Sequence, residues 1–242
     1  MNLAVDVGNT QIKMGVFNEA GLVFAQSVTY EAFPEAFKQL FSSHPEIDAG
    51  IIASVGAPVD DIVSRISVFC EVHVVGPDTR VPYRNAYATT GTLGADRMAL
   101  AAAAFFRQPR TNTLVIDAGS CITYDFMNDF GEYRGGGISP GLRMRYKALH
   151  TFTARLPLLH PAAPDELIGN ATESSMHSGV VNGLVAEIDG IIAMYNDRYP
   201  DLTVILTGGD AQFLSERVKS SIFAHSNFLL EGLNQLLVYN KT

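Results

Sequence analysis

Cysteine is scarce in this chain of 242 residues. Cys70 and Cys121 are the only two, without metal-ligand spacing, which excludes a disulfide framework and a cysteine metal site. Basic residues are also few: 17 Lys and Arg stand against 25 Asp and Glu, a net charge of −8. A nucleic-acid binder normally carries a basic face, so no such partner is expected. The longest apolar run, Met98 to Phe106, is too short to span a bilayer. Met1 to Asp6 has no basic segment and carries an acid in the first apolar run, unlike a secretory signal. No stretch is of low complexity. His44, His73, His150, His160, His177 and His225 show no metal spacing and are expected at the surface or as caps. These absences imply a cytoplasmic protein in a reducing compartment, with no membrane partner. What is present, 47% hydrophobic and 17% charged residues, suits one large globular domain or two modest ones.

The chain repeats itself. Leu3-Ala4-Val5-Asp6-Val7-Gly8-Asn9 matches Leu114-Val115-Ile116-Asp117-Ala118-Gly119-Ser120, each an apolar strand ending in Asp-x-Gly and a small polar residue. Lys13 to Phe17 and Thr123 to Met127 follow as short apolar runs. Each leads to a turn, Asn18 to Gly21 and Asn128 to Gly131, where Asn and Gly tolerate positive φ. Each half has a later strand closing on small residues, Gly50 to Gly56 and Leu202 to Asp210, followed by helical character. Ala95 to Arg107 reads as an Ala-rich buried helix. Ser174 to Tyr199 reads as a long helix, with Val180, Leu184, Ile188 and Ile191 at helical spacing. The polar, Pro-containing stretch Arg107 to Asn112 marks the boundary, giving domains 1–109 and 110–242. Alternating strands and helices predict an α/β fold.

Asp6-Val7-Gly8-Asn9-Thr10-Gln11-Ile12-Lys13 combines an acid, a close-approach glycine, short polar side chains and a lysine. Such a loop can cradle phosphate oxygens and place the acid near a hydrated cation. Alone it is equally a hairpin turn with a solvated lysine. The second copy, with the Ser120 and Thr123 hydroxyls, favours two loops clamping a polyphosphate. Cys121 reads as a small buried filler. Gly94-Ala95-Asp96-Arg97 opens the Ala-rich helix. By itself it is an N-cap acid and a solvated arginine. Beside two phosphate loops, Asp96 would take a substrate hydroxyl proton and Arg97 would pair with an acidic substrate group. Gly135 to Gly141 is a flexible loop or a tight backbone wall. Thr207-Gly208-Gly209-Asp210 is a plain turn or a ligand-binding strand end.

These residues together resemble the type III pantothenate kinases, bacterial enzymes of the acetate and sugar kinase, heat-shock chaperone and actin superfamily. The resemblance runs nearly end to end. It rests on Asp6-x-Gly8-Asn9-Thr10-x-x-Lys13, Gly94-x-Asp96-Arg97, Asp117-x-Gly119 and the Gly135-to-Gly141 segment. Ala148-Leu149-His150, Thr153-Ala154-Arg155-Leu156-Pro157 and Thr172-Glu173-Ser174-Ser175-Met176 before Gly179 extend it. It implies two duplicated ribonuclease-H-like (actin-like ATPase) domains with a cleft between them, paired into a homodimer. It implies phosphorylation of pantothenate by ATP to 4'-phosphopantothenate, the first step of coenzyme A biosynthesis. Asp6 to Lys13 and Ser120 would hold ATP with its magnesium, and Asp96 would be the base. Tyr87, Gly94 to Arg97 and Thr172 would line the pantothenate pocket, and Asp117 would bind potassium or ammonium. Ser120 stands where the family often has threonine, and Thr90-Gly91-Thr92 occupies a region where it commonly has proline.

Two other functions fit the fold. A sugar kinase of the superfamily is one, though the Cys-rich zinc motif of one large group is missing. A non-catalytic nucleotide-binding regulator is the other, though it has no need of a base at Asp96.

Overall fold

The computed structural model describes residues 1–54, 56 and 59–241. Val55, within the expected strand Gly50 to Gly56, lies outside the described residues. The chain divides into two compact units. One comprises Met1–Arg110, Met127–Arg134 and Asn227–Thr242, and the other Thr111–Phe126 and Gly135–Ser226.

The first unit begins with β1 (Asn2–Val7), β2 (Ile12–Asn18), β3 (Gly21–Val28), α1 (Phe33–Ser43), β4 (Ala49–Ser54), α2 (Asp60–Ile66) and β5 (Glu71–Val74). A two-residue strand, β6 (Arg84–Asn85), and α3 (Ala95–Arg107) follow. The sheet order is β3-β2-β1-β4-β5, with β1, β2 and β3 antiparallel and β1, β4 and β5 parallel. Central β1 is covered on both faces, which is why it reads as a nearly continuous apolar run. On α1, Phe33, Phe37, Leu40 and Phe41 recur at helical spacing and are buried, with Pro34 in the first turn. The Ala-rich α3 is a helix over the expected residues.

The second half of the chain supplies β7 (Thr113–Ala118), β8 (Cys121–Met127), β9 (Glu132–Pro140) and α4 (Leu142–Thr151). Then come α5 (Thr172–His177), α6 (Gly183–Asn196), β10 (Thr203–Thr207), α7 (Ala211–Ser215), β11 (Phe223–Ala224) and α8 (Phe228–Lys241). The strands run β9-β8-β7-β10-β11, with β6 bonded to the first two residues of β9. Strand for strand this repeats the order of the first sheet, so the internal repeat is a duplication of the ribonuclease-H-like fold. The small-residue strands Gly50 to Gly56 and Leu202 to Asp210 occupy equivalent places, as β4 and β10.

Within the first unit α8 packs on α3. A Cβ at Gly232 would lie 1.9 Å from the Ala99 carbonyl oxygen, so the two backbones meet where only glycine fits. Leu233 and Leu236 on α8 are fully buried, and truncating either to alanine costs about 2–5 kcal/mol.

The hairpin turns correct one expectation. Gly21 and Gly131 adopt positive φ, at 126° and 73°, but the asparagines do not. Asn18 and Asn128 instead accept backbone N–H groups through Oδ1: Ala20 and Gly21 for the first, Phe130 and Glu132 for the second.

The long helix runs from Thr172 to Asn196, with a wider π-type turn at Ser178–Asn182. Met176, Val180, Val181, Leu184, Ile188 and Ile192 bury one stripe against its own sheet. Gly179, Gly183, Ala186, Gly190 and Ala193 form an exposed stripe of small residues on another face. Among the described residues this is the one helix long and apolar enough to cross a membrane by length and composition. Its buried stripe packs on the second sheet while the other faces stay open.

Candidate active site

Asp6 is buried next to the end of β1, in antiparallel register with Lys13 on β2. Burial raises its carboxyl to about 6, Lys13 draws it down, and Asp96 pushes it up. Asp96 is thus near enough for its charge to act on Asp6, within the same unit. Between the two strands the chain turns tightly. The Gly8 N–H donates to the Gln11 carbonyl at 3.1 Å, and Asn9, Thr10 and Gln11 stand exposed. The Tyr30 hydroxyl donates to the Gly8 carbonyl at 2.6 Å.

Asp96 lies in the first turn of α3. The helix cap is Gly94, which corrects the N-cap reading of Asp96. Burial raises the Asp96 carboxyl, opposed by the Arg97 N–H bonded to Oδ1 at 2.8 Å and by the Arg97 charge. Arg97 is buried rather than solvated, its guanidinium carbon 5.6 Å from the centre of the Tyr87 ring. Asn85 fixes the approach of Tyr87 by accepting its N–H at 3.0 Å.

The second unit gathers its own set. Asp117, near the end of β7, lies beside Gly208. A Cβ there would fall 2.4 Å from Asp117 Oδ1, and φ is 98°, so this position requires glycine. The Asp210 N–H donates to the Ala118 carbonyl at 3.0 Å, and buried Asp210 holds Arg143 at 2.7 Å. Thr207 to Asp210 therefore abuts the Asp117 loop. Gly141 closes on the same loop: a Cβ would lie 2.3 Å from the Ser120 carbonyl oxygen. Gly136 is tighter still, against the Tyr124 backbone. The glycine-dense segment is thus a backbone wall on strand β9, not a flexible loop. Cys121 is half-buried, more open than a core filler.

Thr172, exposed at the start of α5, borders an apolar cavity of ≈ 1100 Å³. Leu149, Phe152, Leu156, Met176 and Val180 line it, with Arg145 at a polar edge. Glu187 accepts from both Arg145 and the Tyr124 hydroxyl, fixing that guanidinium.

Asp6, the Gly8-to-Gln11 turn, Lys13, Tyr87 and Gly94 to Arg97 fall in the first unit. Asp117, Ser120 and Thr172 fall in the second. Sequence reading missed Tyr30, Arg143 and Arg145. None lies in a recognisable motif, and their partners are distant in the chain.

The sequence matches the family profile of type III pantothenate kinase over residues 2–194. A type III pantothenate kinase of Christiangramia forsetii is 47% identical over 242 residues, covering all of both chains. That of Flavobacterium psychrophilum is 44% identical over 241 residues, again covering all of both. Among solved structures, the activator of 2-hydroxyisocaproyl-CoA dehydratase from Clostridium difficile aligns with a TM-score of 0.58. It is 10% identical, with 99% of this chain and 94% of that one covered, a likeness of fold alone.

Proposed function

The chain belongs to the type III pantothenate kinase family and phosphorylates pantothenate with ATP in coenzyme A biosynthesis; we propose that Asp96 is the base of that reaction. The observation that carries this reading is Asp96, half-buried in the first turn of α3 beside buried Arg97, in the same unit as Asp6 and Lys13. Asp96 takes the proton of the pantothenate primary hydroxyl. The hydroxyl oxygen then bonds to the γ-phosphorus, and the bond to the bridging oxygen breaks to leave ADP. Phosphoryl transfer depends chiefly on positioning and charge, which the other residues supply.

Asp6, Val7, Gly8, Asn9, Thr10, Gln11, Ile12 and Lys13 hold the ATP phosphates, helped by Ser120. The exposed Asn9-to-Gln11 turn suits this, because its backbone amides and short side chains stand open to a ligand. Asp6 would hold a magnesium ion, whose charge would offset that of the phosphates. Arg97 recognises the pantothenate carboxylate, with Tyr87, Gly94 and Ala95 beside it in the first unit. The cation–π contact with the Tyr87 ring ties down the Arg97 guanidinium, whose planar fork suits pairing with a carboxylate.

Asp117 holds a potassium or ammonium ion. Its carboxylate sits in a cradle that any side chain at residue 208 would fill. The place matching Lys13 is Tyr124, a phenol kept neutral by burial and by Glu187. The active form is a cytoplasmic homodimer, paired through the exposed Gly179, Gly183, Ala186, Gly190 and Ala193 stripe. Small residues there allow a second helix to come close.

ADP release measured with pantothenate, with glucose and with neither tests the reading. Release is expected only with pantothenate; release indifferent to it would overturn the assignment.

A further inference from the structure

We infer that Tyr30 is a positioning residue for the phosphate loop, aiming a backbone amide at the nucleotide. The inference rests on the reading that Asp6 to Lys13 hold the ATP phosphates. Tyr30 lies in the turn between β3 and α1, far from the loop in sequence. That turn is itself fixed. The Phe33 N–H donates to the Thr29 carbonyl at 3.1 Å, and the Ala32 N–H donates to Thr29 Oγ1 at 3.3 Å. From this base the Tyr30 hydroxyl reaches the Gly8 carbonyl at 2.6 Å.

The consequence follows from peptide geometry. The Gly8 carbonyl and the Asn9 N–H belong to one planar trans unit and point in opposite directions. Fixing the carbonyl toward Tyr30 fixes the Asn9 N–H away from it. The Gly8 N–H is engaged with the Gln11 carbonyl, so the first amide the turn offers a ligand is that of Asn9. A glycine at position 8 leaves this peptide easy to rotate. A phenol that holds it lowers the cost of ordering the turn around phosphate oxygens. Tyr30 acts through Gly8, whose carbonyl its hydroxyl holds.

The test is Tyr30→Phe, which removes one oxygen and keeps the ring, with Lys13→Ala as a reporter of the loop itself. Tyr30→Phe should raise the KM for ATP roughly three- to tenfold, the worth of one neutral hydrogen bond. The KM for pantothenate should stay within about twofold and the Tm within about 2 °C, since the change leaves packing intact. If Lys13→Ala raises the ATP KM and Tyr30→Phe does not, the positioning role is overturned while the loop stands. If neither variant changes it, the phosphate-loop reading fails and takes the inference with it. A rise in both KM values with a clear drop in Tm would make Tyr30 a structural tie, and would also overturn the inference.

Discussion

Asp6 and Lys13 face each other in register across β1 and β2, yet the Asp6 carboxyl stands at about 6, well above its ordinary value. Burial outweighs the lysine, and Asp96 adds a second negative charge. An acid in that position is costly to the empty fold and ready for positive charge brought by a ligand.

The folded chain holds the Asp6 proton more tightly than the unfolded chain does. Its contribution to stability is therefore full below the ordinary value of 3.8 and is lost as pH rises through about 6. Above that range the buried carboxylate costs about 3 kcal/mol. The Tm advantage of Asp6→Asn over the parent should grow as pH rises from about 4 to about 6 and then level off, while ATP turnover is lost. Thermal melts of both proteins across this range check the sign. A Tm difference that does not change with pH would rule out a raised Asp6.

Asp96→Asn should fold and bind both substrates, because the amide keeps the shape of the side chain. Turnover should fall on the order of 10²- to 10⁴-fold. Single-turnover phosphoryl transfer separates this loss from product release. Near-parental rates would remove Asp96 from the chemistry.

Arg97→Ala should raise the pantothenate KM and leave ATP affinity nearly unchanged. Replacing the substrate carboxylate by an alcohol should cost the parent enzyme much more than the variant, because both changes delete one interaction. Equal losses in the two enzymes would place the carboxylate elsewhere.

Light scattering at micromolar concentration should give a dimer. Gly190→Leu should yield a folded monomer: nothing lies within 4 Å of a Cβ there, and leucine is the better helix former by roughly 0.8 kcal/mol. A dimer that survives this change would move the interface off the small-residue stripe.

Activity in Tris buffer free of potassium and ammonium should be low and return when either ion is titrated back. Asp117→Ala should abolish that response while ATP still binds. An enzyme indifferent to both ions would refute the cation site.

The sequence by itself determined the local features of this protein. Asp-x-Gly loops, hairpin turns and the Ala-rich helix follow from spacing within a few residues, which neighbouring side chains impose on the backbone. Even the ordered motifs that identify the family are read along the chain. Tertiary structure decided whatever depends on distance between remote residues. It buried Asp6, which is the chief cause of its raised carboxyl, with Asp96 adding to the effect. It joined α8 to the first unit through the backbone contact at Gly232. It placed Tyr30 under Gly8, and it turned Gly136 and Gly141 from apparent flexibility into close packing. Burial and Coulomb interactions depend on position in space, and no local pattern encodes which distant segment will supply the partner.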